Sequence, residues 1–546
     1  MGRWTPEWCK HMLAACDRLS LVCSGLADRV AELLQSCADQ LNAAGSKPGA
    51  VFAPDPKVLA TFGEETARCL SERLVAQCLK HLQPQLRKGA GLGPWEVVSQ
   101  GCKDGVSGSV AVLKALPDRL EPGLAPCVAV TETLTGWEDI PAGIVAVLLP
   151  AAHAVDVLSH VAIRARNQKV LLASCDDDAL LAQLRQMRGS SIMLSVDVSG
   201  SVTWSTAEAG KKLAFEPAPR PKTLTVAKPP PPPAPILPMQ MFGDHRRSLG
   251  GKSFHLSELK PRNSEYDIPV SSTVPYGIFE AVLNDSRNVE VREKLSELLE
   301  EEKWAEARQQ VQELQLPERL EKNIIEALQK AGAPLPGDGS WQHALKSVWA
   351  SKWTDRAVSS RKQMNVPDDV LMLAVLVQPL AFAAYAFVIH TRSPLATAKP
   401  DDALVEVVVG LGESLVSNSP GRALSATVGP GGRAIEVHTF PSKPDGVFAP
   451  QSGTHIFRSD SNGEDLEGFA GAGLYDSVTV VECPHGPVNY VTEPLLFDVG
   501  FRESLLRRLF DLGRLVEANF KGQPQDIEGA VLSSGKLVVL QSRPQV

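Results

Sequence analysis

The stretch QPQDIEGAVLSSGKLVVLQSRP, residues 523–544, reads as two short apolar strands folded about a turn at Ser534–Gly535. A two-residue turn there sets Glu528 opposite Gln541 and Asp526 opposite Arg543, and the period of a strand puts all four on one face. Ile527, Val538 and Leu540 fall on the other face. The predicted unit is a hairpin with a core side and a polar, ligand-facing side. A carboxylate beside an amide oxygen suits a hard cation bound to phosphate, and Arg543 supplies positive charge. A cross-strand salt bridge on a solvated face is the plainer alternative.

Segments upstream point the same way. THIFRSDSNGEDLEGFAGAGLYDSV (454–478) ends a predicted strand at Arg458 and runs into a loop of small and acidic residues. Gly468, Gly471 and Gly473 keep that backbone slim enough for a ligand to approach, and Arg458 offers a planar fork to phosphate oxygens. VVVGLGESLV (407–416) is a strand entering a Gly-x-Gly-Glu turn. VLMLAVLVQPLAFAAYAFVI (370–389) is long enough to cross a membrane, but Gln378 and Pro379 interrupt it at its centre. Two buried strands joined by a hinge are expected, giving a nucleotide base backbone hydrogen bonds and apolar walls. LGGKSFHL (249–256) places Gly250, Gly251 and Lys252 before an apolar-periodic helix, where freed amides and a lysine form a phosphate cradle. A glycine turn with a surface lysine fits that short motif too.

Towards the N-terminus the pattern changes twice. Residues 1–94 read as helices, with three-and-four apolar spacing in LADRVAELLQSCADQL (26–41) and ARCLSERLVAQCLKHL (67–82). Residues 95–206 carry short β-rich runs and form a small α/β domain. Within it, DVLSHVAIRARNQ (156–168) puts His160 at a helix start, followed by Arg164 and Arg166. On spacing alone His160 is either a packed or capping histidine or a nucleophile kept neutral by the helix N-terminus. His153 lies ahead of the helix and lacks flanking arginines. Residues 207–240 include the run Pro229–Pro233 and favour extended polyproline II over a packed core. About 30 such residues at about 3.1 Å each would let the flanking domains separate by several tens of ångströms, as a passive spacer or a working tether. Residues 241–546 form a second large unit, acidic and helical over 289–331 and β-rich from there on.

Bulk properties narrow the ligand. A net charge of −8 argues against generic binding to nucleic acid or an anionic membrane, so an anionic ligand needs local basic groups. Ten cysteines show no CxxC pair, which favours a reducing compartment over a disulfide framework. MGRWTPEWCK has neither the apolar core of a signal peptide nor a Ser/Arg-rich presequence.

Together these segments resemble the nucleotide-binding domain of the phosphoenolpyruvate synthase and pyruvate phosphate dikinase superfamily, an ATP-grasp-like fold. GGK (250–252), VWASKWTDRA (348–357), GLGE (410–413), the Arg458 loop and the terminal DIEG and VVLQSRP carry the likeness. LSHVAIRARNQKV (158–170) is similar to the segment that bears the phosphoryl-accepting histidine of those dikinases. Their ATP domain comes first, then the histidine domain, then a barrel for phosphoenolpyruvate. Here the histidine domain precedes the ATP domain and the sequence stops at QSRPQV. That order, with PGRALS (420–425), resembles the α-glucan, water dikinases. The Arg458 loop follows GLGE, as in the members that act on unphosphorylated starch, whereas in the phosphoglucan, water dikinases it precedes the VWASKW equivalent.

The resemblance implies a multidomain α/β chain: a helical region (1–94), a swivelling phosphohistidine domain (95–206), a Pro-rich linker (207–240) and an ATP-grasp-like nucleotide-binding domain (241–546). It implies His160 as the phosphohistidine, Lys252, Arg458, Arg543 and Asp526 at ATP, and Glu528 and Gln541 on Mg²⁺. The implied reaction turns ATP, water and an α-glucan such as starch or amylopectin into AMP, orthophosphate and a glucan phosphorylated at glucosyl O6. A phosphoglucan, water dikinase acting at O3 and a non-catalytic glucan- or ATP-binding homologue are the alternatives. No nucleic-acid or membrane partner is implied, and the helical region either forms a homodimer or packs on the histidine domain. Plastid location is implied too, although no transit peptide and no tandem carbohydrate-binding modules precede these domains, which suggests a C-terminal catalytic portion. Family members often carry a Cys-x-x-x-Cys pair after the histidine. Leu171 stands at its first position and only Cys175 remains, so that redox switch is not expected.

Overall fold

The computed structural model describes all residues except 1–3, 48–54, 103, 118–119, 121–125, 135, 137, 139, 198–199, 207–227, 261–264, 365, 396, 451–453, 465–472 and 546. The first helix runs Pro6–Gly45, with Pro6 in its first turn and the Thr5 hydroxyl accepting the Trp8 N–H at 3.1 Å. Helices Phe62–Arg68 and Ser71–Gly89 pack along it. The predicted helical stretch 67–82 is therefore broken, because Leu70 takes extended backbone and starts a new helix. No helix among the described residues is long and apolar enough to cross a membrane.

Residues 95–206 form a seven-stranded sheet. Its order is Trp95–Gln100, Leu171–Cys175, Ile144–Pro150, Cys127–Thr131, Val106–Leu113, Ser191–Val196 and Val202–Thr206. The strands from 171–175 to 106–113 are parallel neighbours. The inner three, 127–131, 144–150 and 171–175, are covered on both faces and buried along nearly their whole length, so they do not alternate. Helix Asp178–Gln186 packs Leu181 and Leu184 on one face. Helix His160–Asn167 packs Val161, Ala162 and Ala165 on the other.

The second unit is built on two antiparallel sheets. One orders Ser477–Thr479, His455–Ser461, Leu373–Pro379, Ser272–Val274 and Leu237–Pro238. The other orders Ile435–Thr439, Leu424–Val428, Ala403–Val409, Ala383–His390, Gln525–Leu532 and Leu537–Pro544. The 370–389 run is two strands with a break after Pro379, and the break carries the chain from one sheet to the other. Both strands are interior, with a partner strand on either side over 375–377 and 385–390, so that stretch of backbone is not free for a base as expected. Part of the expected linker, 207–227, lies outside the described residues. Its end belongs to the second unit, since Ile236 and Leu237 are buried and Leu237–Pro238 pairs with Ser272 and Thr273. The region expected to be β-rich also holds helices Ser340–Ala350, Asp355–Met364 and Val499–Asn519. The last buries Leu505, Leu509, Leu512 and Val516 against the six-stranded sheet, a spacing of four, three and four.

The terminal hairpin reaches its facing pairs by an unexpected route. Its loop has three residues, 533–535, with Gly535 at φ +80° and the Leu532 N–H donating to Lys536 O at 2.9 Å. That loop shifts the register by one residue, and a bulge at Leu540 shifts it back. Glu528 thus pairs with Gln541 and Asp526 with Arg543. The bulge also turns Leu537 and Val539, in place of Val538 and Leu540, into the core with Ile527.

Candidate functional site

Two rows of side chains cross the six-stranded sheet on one face. Glu406, Val388, Glu528 and Gln541 form one row; Leu404, His390, Asp526 and Arg543 form the next. From the five-stranded sheet Arg458 donates to Glu528 Oε2 at 3.2 Å, Gln541 Oε1 at 2.9 Å and Leu540 O at 3.2 Å. Arg458, singled out for phosphate, thus meets Glu528 and Gln541, singled out for the cation, where the two sheets come together. Arg458 Nε and His390 Nδ1 are buried there without a hydrogen-bond partner among the described residues, an arrangement costly to keep unless a ligand fills it.

Asp526 sits differently from the expectation of a direct ATP contact. Its Oδ2 accepts from Arg543 Nε at 2.9 Å and lies 2.8 Å from Nη2, while His390 Nε2 is 3.5 Å from Oδ1. Burial alone would raise its pKa, but Arg543 and His390 outweigh it and hold the carboxyl well below the usual range. A carboxylate this firmly ionised repels phosphate and is better placed to orient Arg543.

The glycine–lysine cradle is also already occupied. Asp460 accepts from the amides of Gly250, Lys252 and Ser253 at 3.1, 2.9 and 3.2 Å, capping helix Gly251–Glu258. Those amides are not free for phosphate, because a carboxylate from the neighbouring strand satisfies them first. Lys252 Nζ reaches Glu464 Oε2 at 2.6 Å. Of the loop glycines, Gly468 and Gly471 lie outside the described residues.

His160 comes to this site from the other domain. It begins helix His160–Asn167, capped by the backbone of Ser159, whose carbonyl accepts the Ile163 N–H at 3.0 Å. Its ring rests on Gly473, at φ +71°, where a Cβ would stand 2.5 Å from Nδ1. The neighbouring Leu474 carbonyl is held by Arg356 Nε at 3.0 Å and the Thr354 hydroxyl at 3.3 Å, so the TDRA segment supports the loop under the ring. Burial pushes the His160 pKa well below its ordinary value, helped by the positive charges of Arg164, Arg543 and Lys252 against the opposing Asp526. That shift favours the neutral imidazole, the form a nucleophile needs.

The helix arginines have separate tasks. Arg164 donates to the carbonyls of Gly136 at 3.1 Å and Glu138 at 2.9 Å. Arg166 holds the Val157 carbonyl at 2.7 Å, fixing the turn before His160. Its Nη2 is buried with no hydrogen-bond partner among the described residues. His153 stands exposed on a short turn ahead of the helix.

His390, Asp460, Glu464 and Glu406 were not among the residues singled out from sequence. Glu406 left the clearest trace: it is the one charged residue in the strand ALVEVVV. A lone carboxylate in an interior strand must find partners.

Residues 94–213 match the profile of the α-glucan water dikinase phosphohistidine-like domain, and residues 335–546 that of the pyruvate phosphate dikinase AMP/ATP-binding domain. Over 99% of its length the chain is 37% identical to an α-glucan water dikinase, chloroplastic, of Solanum tuberosum. The chain belongs to the α-glucan water dikinase family. It is also 37% identical to the chloroplastic α-glucan water dikinase of Citrus reticulata and 34% identical to α-glucan water dikinase 2 of Arabidopsis thaliana, each over 99% of its length. It spans 37% of the length of the Solanum and Citrus relatives and 42% of the Arabidopsis one. The two dikinase domains thus correspond to the two parts that meet at His160.

Proposed function

We propose that this chain moves the β-phosphate of ATP to His160 and from there to a glucosyl hydroxyl of an α-glucan. The observation that carries this reading is the placement of His160, borne on one domain and docked against Gly473 of the other, with Arg543 and Lys252 near enough to depress its pKa. ATP would lie between the two sheets, with Arg458, Arg543 and Lys252 at its phosphates. His160 attacks the β-phosphorus, and the bond to the oxygen retained by AMP breaks. Water then removes the γ-phosphate as orthophosphate. The N–P bond left on His160 is finally exchanged for an O–P bond to the glucan, whose hydroxyl proton leaves.

Glu528 and Gln541 present neighbouring oxygen donors, which fits Mg²⁺. When bound, the ion would neutralise triphosphate charge. The proposed acceptor is O6 of unphosphorylated starch, supported by the position of the Arg458 loop after GLGE and by the α-glucan named for the relatives. Plastid location is proposed from the chloroplastic relatives. A homodimer is proposed through the first helix, whose Leu19, Val22, Leu26 and Leu33 are exposed; sedimentation tests it.

Solubilised starch and ATP should give equal AMP and orthophosphate, with glucose 6-phosphate in the hydrolysed glucan. ADP as the nucleotide product would overturn the reading, whereas glucose 3-phosphate would move the acceptor to O3.

A further inference from the structure

We propose that Glu406 is a positioning residue that clasps the histidine domain in place for phosphoryl uptake. Glu406 lies on the interior strand Ala403–Val409 and is 1% exposed. Its Oε1 accepts the Val157 N–H at 3.1 Å and its Oε2 the Leu158 N–H at 2.9 Å. These amides belong to the turn that leads directly into His160. The side chains of Val157 and Leu158 pack beside the carboxylate on Ala386, Val388, Leu404 and Val408.

The preceding residues continue the clasp. Asp156 Oδ1 accepts the Ala423 N–H at 3.0 Å, and Lys443 Nζ stands 2.8 Å from Oδ2. The Asp156 N–H donates to Asn418 Oδ1 at 3.2 Å, and Arg422 donates to Val155 O at 2.8 Å while pairing with Glu96. Every one of these bonds joins the 95–206 domain to the second unit. They are polar and charge-assisted, the type of contact that exchanges for water with small net change when a domain departs. A purely apolar interface would lose that balance. The clasp therefore fixes His160 at the nucleotide site without trapping it there.

Glu406 shares a sheet row with Glu528 but meets backbone amides of the other domain, so its effect falls on one half of the reaction. That kinetic expectation rests on the proposed function; the clasp itself does not. Glu406→Ala and Glu406→Gln in the full chain test both. Phosphohistidine formation from β-labelled ATP should slow about tenfold or more in Glu406→Ala, as expected for leaving two buried amides without their acceptor, and less in Glu406→Gln. Discharge of preloaded protein to glucan should keep its wild-type rate. Amide exchange over 155–158 should quicken, while strand Cys127–Thr131 stays protected. Unchanged exchange over 155–158 overturns the clasp, and so does equal slowing of both half-reactions with protection lost in the strand. If the wild-type chain forms no phosphohistidine, the proposed function fails, and the exchange result still decides the clasp.

Discussion

His160 and Gly473 have to be understood as a pair. The ring is held neutral by burial and by Arg164, Arg543 and Lys252, which depress its pKa well below 6.5. A depressed pKa keeps the nucleophilic form as pH falls. The rate of phosphohistidine formation should therefore stay level through pH 6.5, where an ordinary histidine would be half protonated. A rate that halves there would show that the ring titrates normally. Gly473→Ala adds a methyl 2.5 Å from Nδ1 and asks a non-glycine residue to hold φ +71°. Rapid-quench labelling should show phosphohistidine formation slowed by about tenfold or more, a barrier change of about 1.4 kcal/mol, with the circular dichroism spectrum unchanged. Sequence made His160 legible as a histidine at a helix start, but not its resting place. Gly473 is more than 300 positions away, and only folding brings the two together. Cys175, by contrast, is understood locally: burial in the central sheet pushes its thiol up to about 11, which leaves it poorly nucleophilic and fits the loss of its partner position to Leu171.

At the scale of elements, period alone explains much. The two-residue period of 525–532 and 537–544 placed Asp526, Glu528, Gln541 and Arg543 on one face. The bulge at Leu540 had no signal, because it depends on how a three-residue loop and the neighbouring strand share the register. Gly535 sets that loop at φ +80° with open space around its Cα, so Gly535→Ala carries a backbone cost and no steric one. Urea denaturation should report a loss of about 1–2 kcal/mol. No loss would mean that the loop relaxes to another turn. Helix Val499–Asn519 is legible in the four-three-four spacing of Leu505, Leu509, Leu512 and Val516, within a stretch expected to be β-rich. The Gly250–Lys252 cradle failed for a different reason. A motif read from one segment cannot reveal that Asp460, 210 positions on, satisfies its amides.

For the whole molecule, domain order and the change from helical to β-rich sequence were legible, while the docking was not. Its contacts join residues such as Val157 and Glu406, 249 positions apart, and no local pattern encodes that distance. Docking also carries a proton balance. Burial, reinforced by the Asp156 charge and opposed by the Leu158 and Val157 amides, raises the Glu406 carboxyl to about 7, and Arg166 and Arg422 are positive charges that it acts on. A raised pKa means that docking gains as pH falls through 7 and loses that gain above it. His160 acts oppositely below 6.5, since its proton must leave on docking. In the proposed reaction this docked histidine takes phosphate from ATP. The most direct measurement gives the purified chain ATP labelled at the β position and, separately, at the γ position, without glucan. An acid-labile, base-stable β-label on His160 is expected, absent in His160→Ala, with the γ-label in free orthophosphate and AMP released. A γ-label on the protein with ADP in solution, or a β-label that survives His160→Ala, would contradict the proposed reaction.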